Sequence, residues 1–244
     1  MKFVRRKVAD FVKPEEFGLF YHIITHHSIS TGTQAGGWIC GGFPHRILSS
    51  ESIAEYMFDG SNTCGDIDIF FPNKKAVEEA IAQCDIRNGY GGIPKASAPN
   101  RFAYDFFNSP SKEMKRHITF ATGKVVSVQY EPPRFRTQYV DNCPTGFQKT
   151  IEETMSNFDF INCMVGIDGE DIVFPENWFD LYELKELEIV KSDTPFLGHR
   201  IAKYVTSRGY EKISQSSQDH LLSWVARVRN NDFPSIFVPS HMEK

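Results

Sequence analysis

The chain has 244 residues, a formal net charge of −4, 41% hydrophobic residues and 24% charged ones. This is the composition of an ordinary globular protein with one or two domains, and the slight acidity excludes polyanion binding through overall charge. No run reaches the ~18 apolar residues of a membrane span, and Met1–Glu16 lacks the apolar core of a signal peptide. Five cysteines, an odd number with no Cys-x-x-Cys pair, fit reduced thiols. The expectation is a soluble cytoplasmic protein with no membrane partner.

Residues Pro14–His27 carry Phe17, Phe20, Tyr21 and Ile24 at helical spacing and predict a helix. His22 and His26 sit four apart on it, without a third metal ligand nearby, and read as surface or capping residues. The polar, glycine-containing stretch Ser28–Gly37 reads as a loop. Trp38–Cys40 predicts a buried strand, and Phe43–Ser50 a helix with Pro44 in its first turn, resuming over Ser52–Met57. Asp59–Asn62 is a turn, Ile67–Phe71 a strand and Lys74–Gln83 a helix. Asn88–Asn100 reads as a loop.

Three strands are expected next, at Arg101–Phe107, His117–Ala121 and Lys124–Tyr130, the last two joined by Thr122-Gly123. A short helix follows over Phe147–Met155. Phe158–Ile167 reads as one apolar strand, closed by an Asp168-Gly169 turn. The remainder reads as helical, with His199–Arg208 ended by Gly209 and a last helix running through Leu221–Val228. The expected fold class is α+β: a mixed sheet with flanking helices and a short helical C-terminal segment. The expected division is 1–170 for the chemistry and 171–244 for a helical region packed on it.

Charge is uneven along the chain. Residues 101–149 hold eight Lys or Arg against four Asp or Glu, residues 151–190 one against eleven, and residues 191–229 seven against three. Solvated faces or a nucleic-acid surface both fit this pattern.

Asp66 and Asp68 are two apart on a predicted strand, so their side chains share a face about 6–7 Å apart. Asp is disfavoured in strands, and two on one face call for a reason. Carboxylate oxygens suit Mg²⁺, with Mn²⁺ as a second choice, and such ions serve phosphoryl or nucleotidyl transfer. Gly41 and Gly42 stand between a strand and a helix, where a backbone without Cβ can approach a phosphate. Asp159, between Phe158 and Phe160, is the best third carboxylate, since an unpaired charge among aromatics is costly and a metal would answer it. Asp168 and Asp171 are weaker candidates, because the glycine turn between them accounts for both. Arg46, Arg134 and Arg136 can meet a triphosphate through paired donors, and Lys74 and Lys75 are further cations. Phe135 can stack a base or pack on the core. Tyr204 and Arg208 can contact a nucleotide, with Tyr204 fitting the core better.

Gly41-Gly42 opening a helix, then Asp66-Ile67-Asp68, then Asp159 resembles the signature of the DNA polymerase β-like nucleotidyltransferase superfamily. The segment Gly41–Leu48 is similar to the glycine-pair segment of tRNA nucleotidyltransferases (CCA-adding enzymes) and bacterial poly(A) polymerases. The later segments Phe158–Phe160 and Arg200–Tyr204 resemble compact phage and viral members. The resemblance implies a metal-dependent transfer of NMP from an NTP to a hydroxyl, with Asp66, Asp68 and Asp159 as metal ligands and Gly41, Gly42, Arg46, Arg134 and Arg136 at the nucleotide. It implies an RNA 3′ end as acceptor. His45-Arg46 stands where the tRNA branch carries an Arg-Asp pair, and the long helical body of that branch has no counterpart. The acceptor therefore stays open between RNA, a protein and a small molecule. A D-x-D glycosyltransferase and a non-catalytic nucleotide-binding module are the other readings. Oligomeric state is not legible.

Overall fold

The computed structural model describes residues 1–58, 66–87, 97–100, 103–107, 136–140 and 146–233, with the backbone alone at 58, 84–87, 97–100, 103–107 and 136. The strands are β1 (Phe3–Lys7), β2 (Trp38–Cys40), β3 (Asp66–Phe70), β4 (Ser97–Asn100), β5 (Ala103–Phe107), β6 (Arg136–Val140), β7 (Gly166–Asp168), β8 (Asp171–Pro175), β9 (Glu186–Leu187) and β10 (Lys212–Ile213). The helices are α1 (Phe17–Ile24), α2 (His27–Gln34), α3 (Gly42–Leu48), α4 (Ile53–Phe58), α5 (Lys74–Arg87), α6 (Ile151–Met155), α7 (Trp178–Glu183), α8 (Leu197–Arg208) and α9 (Gln218–Asn230). The chain falls into two compact units: residues 5–154 with 165–173, and residues 1–4 and 155–164 with 174–244.

Eight strands form one sheet in the order β1-β8-β7-β2-β3-β6-β5-β4. Strand β3 runs parallel to β6 and antiparallel to β2, and β6 pairs antiparallel with β5. The sheet is therefore mixed and the fold α+β, as the element pattern predicts. The expected strands at His117–Ala121 and Lys124–Tyr130 and the turns at Asp59–Asn62 and Thr122-Gly123 lie outside the described residues. Strand β6 is an addition, because five residues containing Arg136 and Gln138 carry little apolar signal. So is β4, within the stretch expected as a loop.

The stretch Ser28–Gly37 is not a loop, because α2 occupies most of it. Its intrinsic helix propensity is poor, but its small residues allow close packing. A Cβ on Gly32 would stand 3.0 Å from Ile69 Cδ1 and 3.1 Å from Tyr139 Cε1. The buried Ser28 and Thr137 hydroxyls share a hydrogen bond of 3.0 Å. Tertiary contact thus overrides propensity and sets α2 against the Ile69 and Tyr139 face of β3 and β6. Helix α6 starts later than expected. A reciprocal cap fixes it, with the Glu153 N–H donating to Thr150 Oγ1 at 3.2 Å and the Lys149 N–H to Glu153 Oε2 at 2.8 Å.

His26 stands at the N-cap position of α2, but its side chain makes no capping bond. Its Nδ1 lies 3.0 Å from Ser28 Oγ, and its ring centroid 5.3 Å from that of His27. Burial, aided by His27 and His22, pushes its pKa down to about 4. The unfolded value is near 6.5, so the fold favours the neutral ring. Stability from this group is full above pH ~6.5 and is lost as pH falls through about 4, a loss of at most about 3 kcal/mol. Urea unfolding of wild type and His26→Gln at pH 7 and pH 4 checks this. The variant should lose less stability on acidification, and equal losses would contradict the assignment.

In the other unit, the expected strand Phe158–Ile167 is broken. Phe160 makes an isolated bridge to Ile189, a 3₁₀ turn follows at Ile161–Cys163, and pairing resumes at Gly166 and Ile167, which begin β7. The Asn162 side chain competes with sheet pairing: its Nδ2 donates to Glu186 O at 2.9 Å and its Oδ1 accepts from the Glu188 N–H at 2.9 Å. The core here is Phe160, Leu187, Ile189, Leu197, Tyr204 and Tyr210. Helix α8 ends at Gly209 with φ +67°, as expected. The tail is not wholly helical, because β9 and β10 pair in parallel. Among the described residues, no helix is long and apolar enough to cross a membrane.

Candidate functional site

Strand β3 alternates as its sequence requires, with Ile67 and Ile69 fully buried and Asp66, Asp68 and Phe70 half-buried. The two carboxylates therefore share the face opposite the one covered by α2. Cys40 of β2 stands opposite Asp68, and on the other side β6 sets Gln138 opposite Asp68 and Arg136 opposite Asp66. Burial, with Asp68 next to it, pushes the Cys40 thiol well up, so it stays protonated.

The link from β2 to α3 explains its first glycine. Gly41 has φ +94° and ψ −128°, a conformation that L side chains rarely adopt. A Cβ there would stand 3.8 Å from Asp68 Oδ2, an ordinary contact, so the dihedral rather than crowding demands glycine. The Gly41 N–H donates to Val165 O at 2.9 Å and is already used. Gly42 opens α3, and Pro44 in the first turn has no N–H.

Arg46 pairs with Glu51, and its guanidinium carbon lies 5.6 Å from the centre of the Tyr56 ring. Tyr56, on α4, donates its hydroxyl to the Asp66 carbonyl oxygen at 2.7 Å, with Asp66 Oδ1 at 3.2 Å. Sequence reasoning missed Tyr56 and Glu51. No local spacing marks them, since the partner of Tyr56 lies ten residues away on another element.

The remaining candidates divide. Arg134 lies outside the described residues, and Arg136 is placed by backbone register alone. Asp159 belongs to the other unit, where it is 6% exposed and paired with the half-exposed Arg200. Burial raises its pKa, and Arg200 opposes that rise. The ion pair answers the charge for which the sequence reading invoked a metal. Asp168 and Asp171 pair with Arg5 and Lys7, each at 3.0 Å. Lys74 and Lys75 are exposed and face Glu78 and Glu79 one turn on. Tyr204 is in the core, with the Arg208 guanidinium 4.8 Å from its ring centre. Among the described residues, no three His, Cys, Asp or Glu gather as a metal cluster. Asp66 and Asp68 set two carboxylates on one half-buried face, a chemistry that suits a divalent cation.

Comparison with solved structures places the fold. A CCA-adding enzyme with CTP matches at a TM-score of 0.53 and 14% identity, over 95% of this chain and 48% of that one. A CCA-adding enzyme with ATP matches at 0.53 and 14%, over 93% and 46%. The Thermotoga maritima CCA-adding enzyme complexed with tRNA matches at 0.51 and 14%, over 93% and 47%. The chain spans about half the length of these proteins. At this identity the likeness is one of fold, shared with CCA-adding enzymes. A comparison with curated proteins gave no match. The profile of the Gabija anti-defense 2 (Gad2) family covers residues 13–185, including Gly41, Gly42, Asp66, Asp68 and Asp159, and the chain belongs to that family.

Proposed function

We propose that this protein is a metal-dependent nucleotidyltransferase that moves NMP from an NTP to a hydroxyl. The observation that carries the reading is the half-buried Asp66 and Asp68 pair on one face of β3, next to the backbone of Gly41, within a nucleotidyltransferase fold. Asp66 and Asp68 would hold Mg²⁺ or Mn²⁺, which supplies charge neutralisation at the phosphate oxygens during transfer. Gly41 and Gly42, the first beside Asp68, are proposed to seat the triphosphate. Arg46 and the basic residues Arg134 and Arg136 are the cations proposed for that ligand, with Arg46 first exchanging its Glu51 partner. The acceptor hydroxyl attacks the α-phosphorus, forms the new P–O bond and loses its proton, and pyrophosphate leaves. Residues 1–170 are proposed to carry this chemistry.

Asp159 is proposed as a metal ligand on the resemblance alone, and its carboxylate is paired with Arg200. The proposed acceptor is an RNA 3′ end, supported by the fold shared with an enzyme solved with tRNA. A protein or small-molecule hydroxyl is the alternative acceptor.

Melting the protein with and without NTP and Mg²⁺ tests the reading. ATP or CTP with Mg²⁺ should raise the melting temperature, and the rise should vanish in Asp66→Ala and Asp68→Ala. No rise with any NTP would contradict it.

A further inference from the structure

We infer that Tyr56 is a positioning residue for Asp66, and that it sets the affinity of the β3 carboxylates for a divalent cation. The inference rests on the nucleotidyltransferase reading of that pair. A carboxylate that binds a metal well is one whose rotamer is fixed beforehand, commonly by a hydrogen bond from a neighbouring side chain. At Asp66 that bond comes from the Tyr56 hydroxyl, which lies 3.2 Å from Oδ1 and 2.7 Å from the same residue's carbonyl oxygen. A donor shared between the main chain and the side chain of one residue ties the carboxylate to the strand that carries it.

Tyr56 is itself held from several directions. Helix α4 is pinned one turn earlier. Ser52 Oγ accepts from the Glu55 N–H at 3.2 Å and donates to Glu16 Oε1 at 2.9 Å, and the Ala54 N–H donates to the same Glu16 oxygen at 3.3 Å. Glu16 is 9% exposed, so this anchor is sheltered from water. The Tyr56 ring lies 6.4 Å from that of Phe43, which is fully buried on α3. The Arg46 guanidinium covers it and is fixed in turn by Glu51. Arg46 Nε is buried without a hydrogen-bond partner, a cost accepted where the guanidinium is held over the ring. Glu51, Arg46, Tyr56 and Asp66 thus form a relay from the α3–α4 turn to the first carboxylate of the pair.

Mn²⁺ titration followed by the electron paramagnetic resonance of the free ion tests this on wild type, Tyr56→Phe and Asp66→Asn. Tyr56→Phe keeps the ring contacts and removes only the hydroxyl. It should weaken Mn²⁺ binding about tenfold, in the range found when a metal ligand loses its hydrogen-bond partner. Asp66→Asn should remove the site. Thermal melts of the same samples check that Tyr56→Phe, which loses both bonds at once, stays folded under the titration conditions. Equal Mn²⁺ affinity in wild type and Tyr56→Phe, with Asp66→Asn impaired, would overturn the inference alone. No Mn²⁺ binding in wild type, or binding unaffected by Asp66→Asn, would overturn the underlying reading of the carboxylates.

Discussion

Asp66→Asn and Asp68→Asn should each lower NMP transfer by about a thousandfold, which is about 4 kcal/mol of transition-state stabilisation. Each change removes one anionic oxygen donor from a pair and leaves the shape of the side chain. Both residues are half-buried, so neither amide becomes an orphan in the core. At position 66 the Tyr56 hydroxyl can still donate, now to the amide oxygen. Two like charges on one strand face repel each other when no cation is bound, so the melting temperature should hold or rise slightly. Mg²⁺ should stabilise wild type and leave the variants unchanged. Initial rates with a labelled NTP, together with thermal melts, check both halves. Variants that fold and retain more than about a tenth of the wild-type rate would remove the carboxylates from the chemistry.

Trp178→Ala should cost about 3–5 kcal/mol, the usual range for deleting a buried aromatic. Trp178 is wholly buried and stacks on Tyr182 at 5.0 Å. Its indole N–H donates to Asn162 O at 3.0 Å, and the Asn162 side chain holds both Glu186 and Glu188. The cavity would therefore open beside the turn that follows Asp159 and Phe160. Trp178→Phe separates the contributions. It keeps part of the packing but leaves the Asn162 carbonyl without the indole donor, at a cost of about 1–3 kcal/mol. Urea unfolding measures both, and a loss below about 1 kcal/mol in Trp178→Ala would show that the turn is held by other contacts.

Residues whose environment follows from chain-local patterning were legible. Trp38–Cys40, the alternation at Asp66–Phe70 and the Gly209 helix stop announce themselves within a few residues. Helix α2 did not, because its poor formers are helical only through Gly32 meeting Ile69 and Tyr139. Strand β6 did not, because its partner β3 lies some seventy residues earlier and its own pattern is polar. At the candidate site, type and spacing single out Asp66, Asp68 and Gly41, and the fold sets Gly41 beside Asp68. Tyr56 was invisible, since it acts across the α4–β3 connection. Asp159 was found by its apolar neighbours, but Arg200, the partner that answers its charge, comes 41 residues later.

Incubation with each α-labelled NTP and Mg²⁺, with total RNA or total protein as acceptor, reads NMP transfer itself. Label should enter the RNA fraction from at least one NTP and be absent in Asp66→Asn and Asp68→Asn. Label in the protein fraction alone would keep the transferase and replace its acceptor. No label in either fraction from any NTP, with folded wild-type protein, would rule out NMP transfer.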